Sequence, residues 1–473
     1  MQARLAIDQG TTGTKAFVVA PGGRIHEVGR HRHRQFYPHP GWVEHDAMEL
    51  LGAVSRFCEL AHAETTIGIA NQGETVVAWD ARTKQPLYNA IVWQDRRTRE
   101  AVEKLRADGI EHLTRERAGL PLDPYFSAAK LRWLLDNVTG VREAAALGRL
   151  RLGTSDAFFL DSLTGSFATD VSTASRTSLM NLRTLSWDPD LCAAFGVPIE
   201  CLPEIRSTVD DFGRVSSSNA RIGVNIVDQQ AALFGHGCRR PGDIKITFGT
   251  GAFALGLSDD VSSAMDAQRL GLIPTCAWRI RGESVQYALD GGLLSAASAV
   301  DWLERVGLAD DIATSADDQR AALRGLMFVP AQAGLGCPFW DPSARAMWIG
   351  IELATSRGDL CRAVYEGIAL RTAQIVRTFE RVSGVSQISV DGGLSRSAYF
   401  RQLLADATGR SLLISGIADM TAKGTLDLCS LARPDGDGEA QVEWQRIAPL
   451  SPIPESVHSR FADAVDRARD WGG

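Results

Sequence analysis

No uninterrupted apolar run in this 473-residue chain is long enough to span a bilayer, and residues 1–8 reach a charged side chain before an apolar signal core could form. The chain is therefore expected in the cytoplasm, with no membrane partner. Paired cysteine motifs are missing too: the eight cysteines (58, 192, 201, 238, 276, 337, 361 and 429) include no Cys-x-x-Cys, and no histidine spacing completes a zinc site with them. Free thiols in a reducing compartment are the expectation. Lys and Arg are spread along a chain of net charge −7 without a basic run, which argues against nucleic acid as a partner. Finally, Gly-x-x-x-x-Gly-Lys-Ser/Thr does not occur, so any phosphate chemistry must come from something other than a P-loop.

What is present is an ordinary globular composition, 45% hydrophobic and 23% charged, in a chain longer than one core usually supports. Residues 4–28 read as a β-meander, with apolar runs at 5–7 and 16–20 separated by Gly- and Thr-rich turns and by Pro21-Gly22-Gly23. Residues 66–70 and 75–79 read as a strand pair joined by Asn71-Gln72-Gly73-Glu74, and residues 47–62 and 127–137 as helices. The mixture indicates an α/β class. A strand at 243–248, the turn Gly249-Thr250-Gly251 and a strand at 252–257 echo the opening hairpin, which suggests internal duplication. The expected domains are 1–237 and 238–473.

Phosphoryl transfer requires backbone N–H groups around phosphates, a carboxylate-held cation, and a group to position or deprotonate the attacking hydroxyl. Asp8-Gln9-Gly10-Thr11-Thr12-Gly13-Thr14-Lys15 has the glycines for a tight turn and hydroxyls beside exposed N–H groups; a plain hairpin whose side chains cap their own backbone reads equally well. Gly249-Thr250-Gly251 carries the same two readings. Asp228 follows the apolar run 222–227 at a strand-to-helix junction, where it serves as a helix N-cap, as a group projecting into a cleft, or as both.

Several segments together resemble the FGGY carbohydrate kinases: Ala6-Ile7-Asp8-Gln9-Gly10-Thr11-Thr12, Pro40-Gly41-Trp42-Val43-Glu44-His45-Asp46, Tyr88-Asn89-Ala90-Ile91-Val92-Trp93-Gln94, Asp123-Pro124-Tyr125-Phe126-Ser127, Ala174-Ser175-Arg176-Thr177 and Asp228-Gln229-Gln230-Ala231. Gly334-Leu335-Gly336 and Asp391-Gly392-Gly393 continue the resemblance into the second half. It implies a two-domain ribonuclease-H-like, actin-like ATPase fold with the active site in the interdomain cleft, and an ATP- and Mg²⁺-dependent kinase acting on a primary hydroxyl of a small polyol or sugar. Glycerol, converted to glycerol 3-phosphate, is the first candidate substrate; assembly as a homo-oligomer, dimer or tetramer, is compatible with it. By motif position, Asp8 and Asp228 would lie near Mg²⁺, with Asp228 the catalytic base. Thr11, Thr12, Lys15 and Thr250 would face the phosphates. Gly291, Gly393 and Ser397 would border the adenosine. Gly73, Glu74, Trp93, Tyr125, Asp228, Gln229 and Phe253 would line the polyol pocket.

The chain also departs from the family pattern. Gly73 stands where the glycerol-phosphorylating members carry an Arg that bonds the substrate, and each charge-assisted bond lost is worth about 1.5–3 kcal/mol. Kinases of C4–C5 polyols or ketoses such as erythritol or xylulose therefore stand as the alternative, and a non-catalytic ATP-binding sensor as a second. Lys423 and Asp427 occupy a stretch that is usually small and apolar beneath the nucleotide, with altered nucleotide affinity the expectation. The stretch 212–227 lacks the Gly-Gly-x-Arg loop through which fructose 1,6-bisphosphate regulates some relatives.

Overall fold

The computed structural model describes residues 4–20, 22–308, 320–433, 438–469 and 471; Pro21 of the first expected turn and residues 434–437 of the polar stretch lie outside them. Two compact units emerge. The first comprises Met1–Gly237, Pro274–Tyr287 and Asp419–Gln441, and the second Cys238–Ile273, Ala288–Ala418 and Val442–Gly473.

In the first unit the meander forms as expected. Strands β1 (Arg4–Gln9), β2 (Gly13–Val19) and β3 (Ile25–Arg32) pair antiparallel in sequence. β4 (Thr66–Asn71) adds in parallel to β1. The next strand, β5 (Val76–Asp80), does not pair with β4 as the sequence suggested, but with β6 (Leu150–Thr154) in a separate sheet. The turn between β4 and β5 carries two left-handed residues, Gly73 (φ 56°) and Glu74 (φ 43°), and both edges of β4 are taken by parallel strands, which leaves no edge for a hairpin partner. β7 (Arg221–Val227) then pairs in parallel with β4, giving the order β7-β4-β1-β2-β3.

Strand alternation divides the core between the two faces of this sheet. Leu5, Ile7, Ala16 and Val18 pack with Leu50, Val54 and Phe57 of helix α1 (Ala47–Cys58), whose first turn is capped by Asp46 accepting from the Met48 and Glu49 amides. Ala6 and Phe17, pointing the other way, meet Ala422 and Leu426. A helix from the far end of the sequence thus covers the second face of the opening meander.

The second unit repeats the pattern. β8 (Asp243–Phe248) and β9 (Ala252–Ser258) form the expected hairpin, β10 (Gln286–Leu293) lies beyond β9, and β11 (Gln387–Gly392) and β12 (Leu412–Ser415) follow in parallel on the other side of β8. Within a seven-stranded sheet, the run β10-β9-β8-β11-β12 repeats the first sheet read as β3-β2-β1-β4-β7. Two such sheets make this a duplicated ribonuclease-H-like, actin-like α/β fold.

All eight cysteines are buried and free, as expected. Among the described residues no helix is long and apolar enough to cross a membrane.

Candidate functional site

Three parallel strands of the first unit end on one edge of the sheet, and the expected carboxylates stand at those ends. Asp8 is near the end of β1 and pairs in register with Ala70 of β4; Asn71, the last residue of β4, pairs with Val227, which immediately precedes Asp228. With β4 between them, Asp8 and Asp228 are two strand spacings apart, about 10 Å. The turn carrying Gln72, Gly73 and Glu74 leaves from the strand between. Carboxyl ends of parallel strands are where ligands bind in open α/β sheets, because strand-to-helix turns there point side chains and free backbone N–H groups outward.

Asp228 opens helix α2 (Asp228–Gly235), and Val227 rather than Asp228 occupies the cap position. Its Oδ1 accepts from the Gln229 amide at 2.6 Å. The preceding backbone is pinned by the Val227 amide donating to Ser172 Oγ at 3.0 Å, and Ser172 donates to the buried Asp170 carboxylate. Asp170 is pushed up to about 6 by burial, opposed by the hydrogen bonds it accepts from Thr173, Ser172 and Thr208.

Asp8 lies opposite Lys15 across the β1–β2 pair. Part of its surface remains accessible, yet enough protein surrounds the carboxyl that burial pushes it up to about 6, with Lys15 opposing. A buried carboxylate held at that cost, in an all-oxygen set with Asp228 and the threonine hydroxyls, fits Mg²⁺, which takes oxygen ligands and would relieve the penalty on the charge. Lys15 itself reaches Asp419 Oδ1 at 2.5 Å, a partner that the linear order, more than four hundred residues apart, gave no sign of. In the intervening turn the Gly10 amide donates to the Gly13 carbonyl at 3.0 Å, Thr12 is exposed, and a side chain at Gly13 would stand 2.6 Å from the His31 carbonyl oxygen.

Around Glu74 the expected polyol residues of this unit assemble. Trp93 Nε1 donates to Thr11 Oγ1 at 2.9 Å, tying the indole to the threonine turn, and its ring meets Tyr125 edge-on at 5.5 Å. Glu74 is buried and pushed up to about 6, chiefly by desolvation, with Arg176 and Lys130 pulling down and Asp228 pushing further up. Lys130, whose ammonium donates to the Tyr125 and Phe126 carbonyls, is pushed down to about 8 by its own burial. Arg176 was quoted in a motif but given no role by the sequence. Its Nε donates to Glu74 Oε1 at 2.6 Å, and its guanidinium lies 5.7 Å from the Tyr125 ring centre and 5.3 Å from that of Phe126. Its one sequence signal was membership of the Ala174-Ser175-Arg176-Thr177 segment.

The segment around Trp93 is braced by Glu44, which accepts from Tyr88, Asn89 and Arg97, while Asp95 accepts from the Val43 amide. Two motifs that are distant in sequence are thereby one hydrogen-bonded unit.

In the second unit Thr250 is exposed in the β8–β9 turn, its carbonyl accepting from the Ala296 and Ser298 amides. Gly393 is exposed just beyond β11, and its amide donates to the Phe248 carbonyl at 2.8 Å. Ser397 caps the helix Ala398–Thr408 through the Phe400 amide. Gly291 is buried inside the sheet, where an added side chain would meet Leu272, Cys337 and Ile375. Phe253 is half-buried on β9, across from Thr247.

Lys423 and Asp427 belong to helix α3 (Met420–Leu431) of the first unit, which packs against α2 and β1. They form a buried i,i+4 ion pair at 2.5 Å, and Asp427 Oδ1 also accepts the Ala440 amide at 2.7 Å. The pair satisfies itself and ties the helix to the segment that follows it.

Residues 3–235 match the N-terminal domain of the FGGY family of carbohydrate kinases, and residues 244–432 its C-terminal domain. A glycerol kinase of Geobacter sp. (strain M21) is 42% identical, the alignment covering 100% of this chain and 99% of the relative. A glycerol kinase of Citrifermentans bemidjiense is 41% identical over 91% of this chain and 90% of its own length. Among solved structures, Plasmodium falciparum glycerol kinase with ADP has a TM-score of 0.87 at 30% identity, covering 98% of both chains. A ligand-bound xylulose kinase from Lactobacillus acidophilus, at 20% identity and a TM-score of 0.83, shares the fold. Kinases of the matched family use ATP with Mg²⁺. With both family domains present in order and a relative similar from end to end, this chain belongs to the FGGY family of carbohydrate kinases.

Proposed function

We propose that the chain transfers the γ-phosphoryl group of ATP to a primary hydroxyl of glycerol, forming glycerol 3-phosphate. The observation that carries this reading is full-length similarity above 40% identity to proteins named glycerol kinase. The geometry at the carboxyl ends of β1, β4 and β7 supports it.

In this reading Asp228 takes the proton of the attacking hydroxyl as its oxygen bonds to phosphorus. Mg²⁺, when bound near Asp8 and Asp228, supplies positive charge against the nucleotide phosphates. Thr11, Thr12 and Lys15 of the first unit bind phosphate oxygens, Lys15 exchanging Asp419 for that ligand, and Thr250 is assigned a phosphate-binding role by its motif. Gly393 and Ser397 flank the adenosine, and Gly291 contributes by leaving room in the sheet beneath it. Trp93 and Tyr125 cover the carbon chain, and Glu74 and Gln229 bond its hydroxyls.

Gly73 favours a second reading. Its φ of 56° costs a side-chain-bearing residue strain that glycine avoids, and without an arginine there the substrate site is less filled. Arg176 donates to Glu74 Oε1 beside it, so the neighbourhood keeps a guanidinium. Steady-state ADP release with glycerol, tetritols, pentitols and ketopentoses separates the two. Glycerol is expected to give the highest kcat/KM, and no turnover at millimolar glycerol beside turnover of a longer compound would transfer the assignment to the C4–C5 class.

A further inference from the structure

Behind the threonine turn, three side chains that phosphoryl transfer leaves unused lie together in the first unit. His31 is on β3 opposite Thr14 of β2, and His33 follows two positions on, with its amide donating to the Thr12 carbonyl at 3.1 Å. In an extended chain, residues two apart share a face, so both imidazoles project the same way. Glu49, from the first turn of α1, meets them there, with its Oε1 3.8 Å from His31 Nε2. One ligand atom from each of the three lies within 4.8 Å of the other two. Tetrahedral ligands bound at about 2.0 Å stand about 3.3 Å apart, so small side-chain rotations close the triad around an ion.

An independent observation concerns the ring of His33. Its Nε2 is 2.8 Å from Thr14 Oγ1, while its Nδ1 is buried and has no hydrogen-bond partner. A buried, unsatisfied ring nitrogen costs free energy unless something accepts its lone pair. With the other nitrogen held by a hydroxyl, the ring has the arrangement of a metal-ligating histidine fixed from behind. Glu49 is held from the solvent side by Arg34, which donates through its amide and its Nε and is itself largely exposed.

We propose that His31, His33 and Glu49 form a binding site for one divalent transition-metal ion of the class that prefers imidazole nitrogen, with a fourth position open to water. Two nitrogens and one carboxylate oxygen suit Zn²⁺, Ni²⁺ or Co²⁺, whereas Mg²⁺ favours an all-oxygen set, so this site and the nucleotide's Mg²⁺ do not compete. The ion would tie β3 to α1 and fix the histidine that braces Thr14.

The test uses the purified full-length protein stripped by a chelator and titrated calorimetrically with Zn²⁺ in the presence of excess Mg²⁺. One equivalent of Zn²⁺ is expected, with affinity at least tenfold weaker in each of His31→Gln, His33→Gln and Glu49→Gln. The metal-free melting transition of each variant reports folding, and His31→Gln, on a partly exposed side chain, disturbs the core least. Co²⁺ is expected to give a weak visible d–d band without thiolate charge transfer, because every cysteine is buried elsewhere. The assignment is overturned if the wild type binds no Zn²⁺, if folded His31→Gln and Glu49→Gln bind as the wild type does, or if Co²⁺ shows thiolate ligation.

Discussion

Asp228 is the first residue of α2, and the backbone before it is held by Ser172 and, through Ser172, by the buried Asp170. Replacing Asp228 by Asn keeps the shape and removes the base. Turnover is expected to drop by about two to four orders of magnitude, with ATP binding by calorimetry little changed; retained turnover would remove Asp228 from the proton transfer. Asp8 makes a prediction about stability. Its folded-state value of about 6 lies above that of the unfolded chain, so the folded state binds the extra proton between the two values. Stability from this group is complete at low pH and is lost as pH rises through about 6. Asp8→Asn, without nucleotide or Mg²⁺, should therefore melt higher than the wild type at pH 8, with the gap closing near pH 4, and equal melting temperatures across that range would contradict the burial cost.

At the scale of elements, α2 and α3 meet through two glycines. A side chain at Gly424 would overlap the Ala231 carbonyl oxygen, and one at Gly235 the Met420 carbonyl oxygen. The helix that begins with Asp228 is thus set by the closeness of a helix nearly two hundred residues away. Gly424→Ala should push the helices apart, costing about 1–3 kcal/mol by denaturant unfolding and lowering kcat together with stability. An unchanged kcat in a destabilised variant would show that α3 does not position α2. The Lys423–Asp427 pair on the same helix is buried, so Lys423→Ala leaves an uncompensated carboxylate at a cost of about 3–5 kcal/mol, while Lys423→Met with Asp427→Leu should cost far less. Equal destabilisation in the single and double variants would show that the pair contributes through packing alone. The sequence marked Lys423 and Asp427 as anomalies near the nucleotide. Their partnership needed the helical spacing and the neighbouring Ala440 amide to become visible.

For the whole molecule, the repeated hairpin at 243–257 was legible because a strand, a Gly/Thr turn and a strand are local features. The expected pairing of residues 66–70 with 75–79 failed because a local apolar pattern marks a strand without naming its partner: both edges of β4 are taken by β1 and β7, and β5 pairs with β6. The sequence by itself determined the α/β class, the duplicated strand pattern, the free thiols and the motif-borne carboxylates Asp8, Glu74 and Asp228, since each rests on residue type, short-range periodicity or an ordered set of motifs. Tertiary structure alone decided that Asp8 and Asp228 share a sheet edge, that Arg176 pairs with Glu74, that Lys15 rests on Asp419, and that Glu49 completes a triad with His31 and His33. Those arrangements depend on parallel pairing and helix docking between segments tens to hundreds of residues apart, and contacts at that range leave no periodic trace in a single chain.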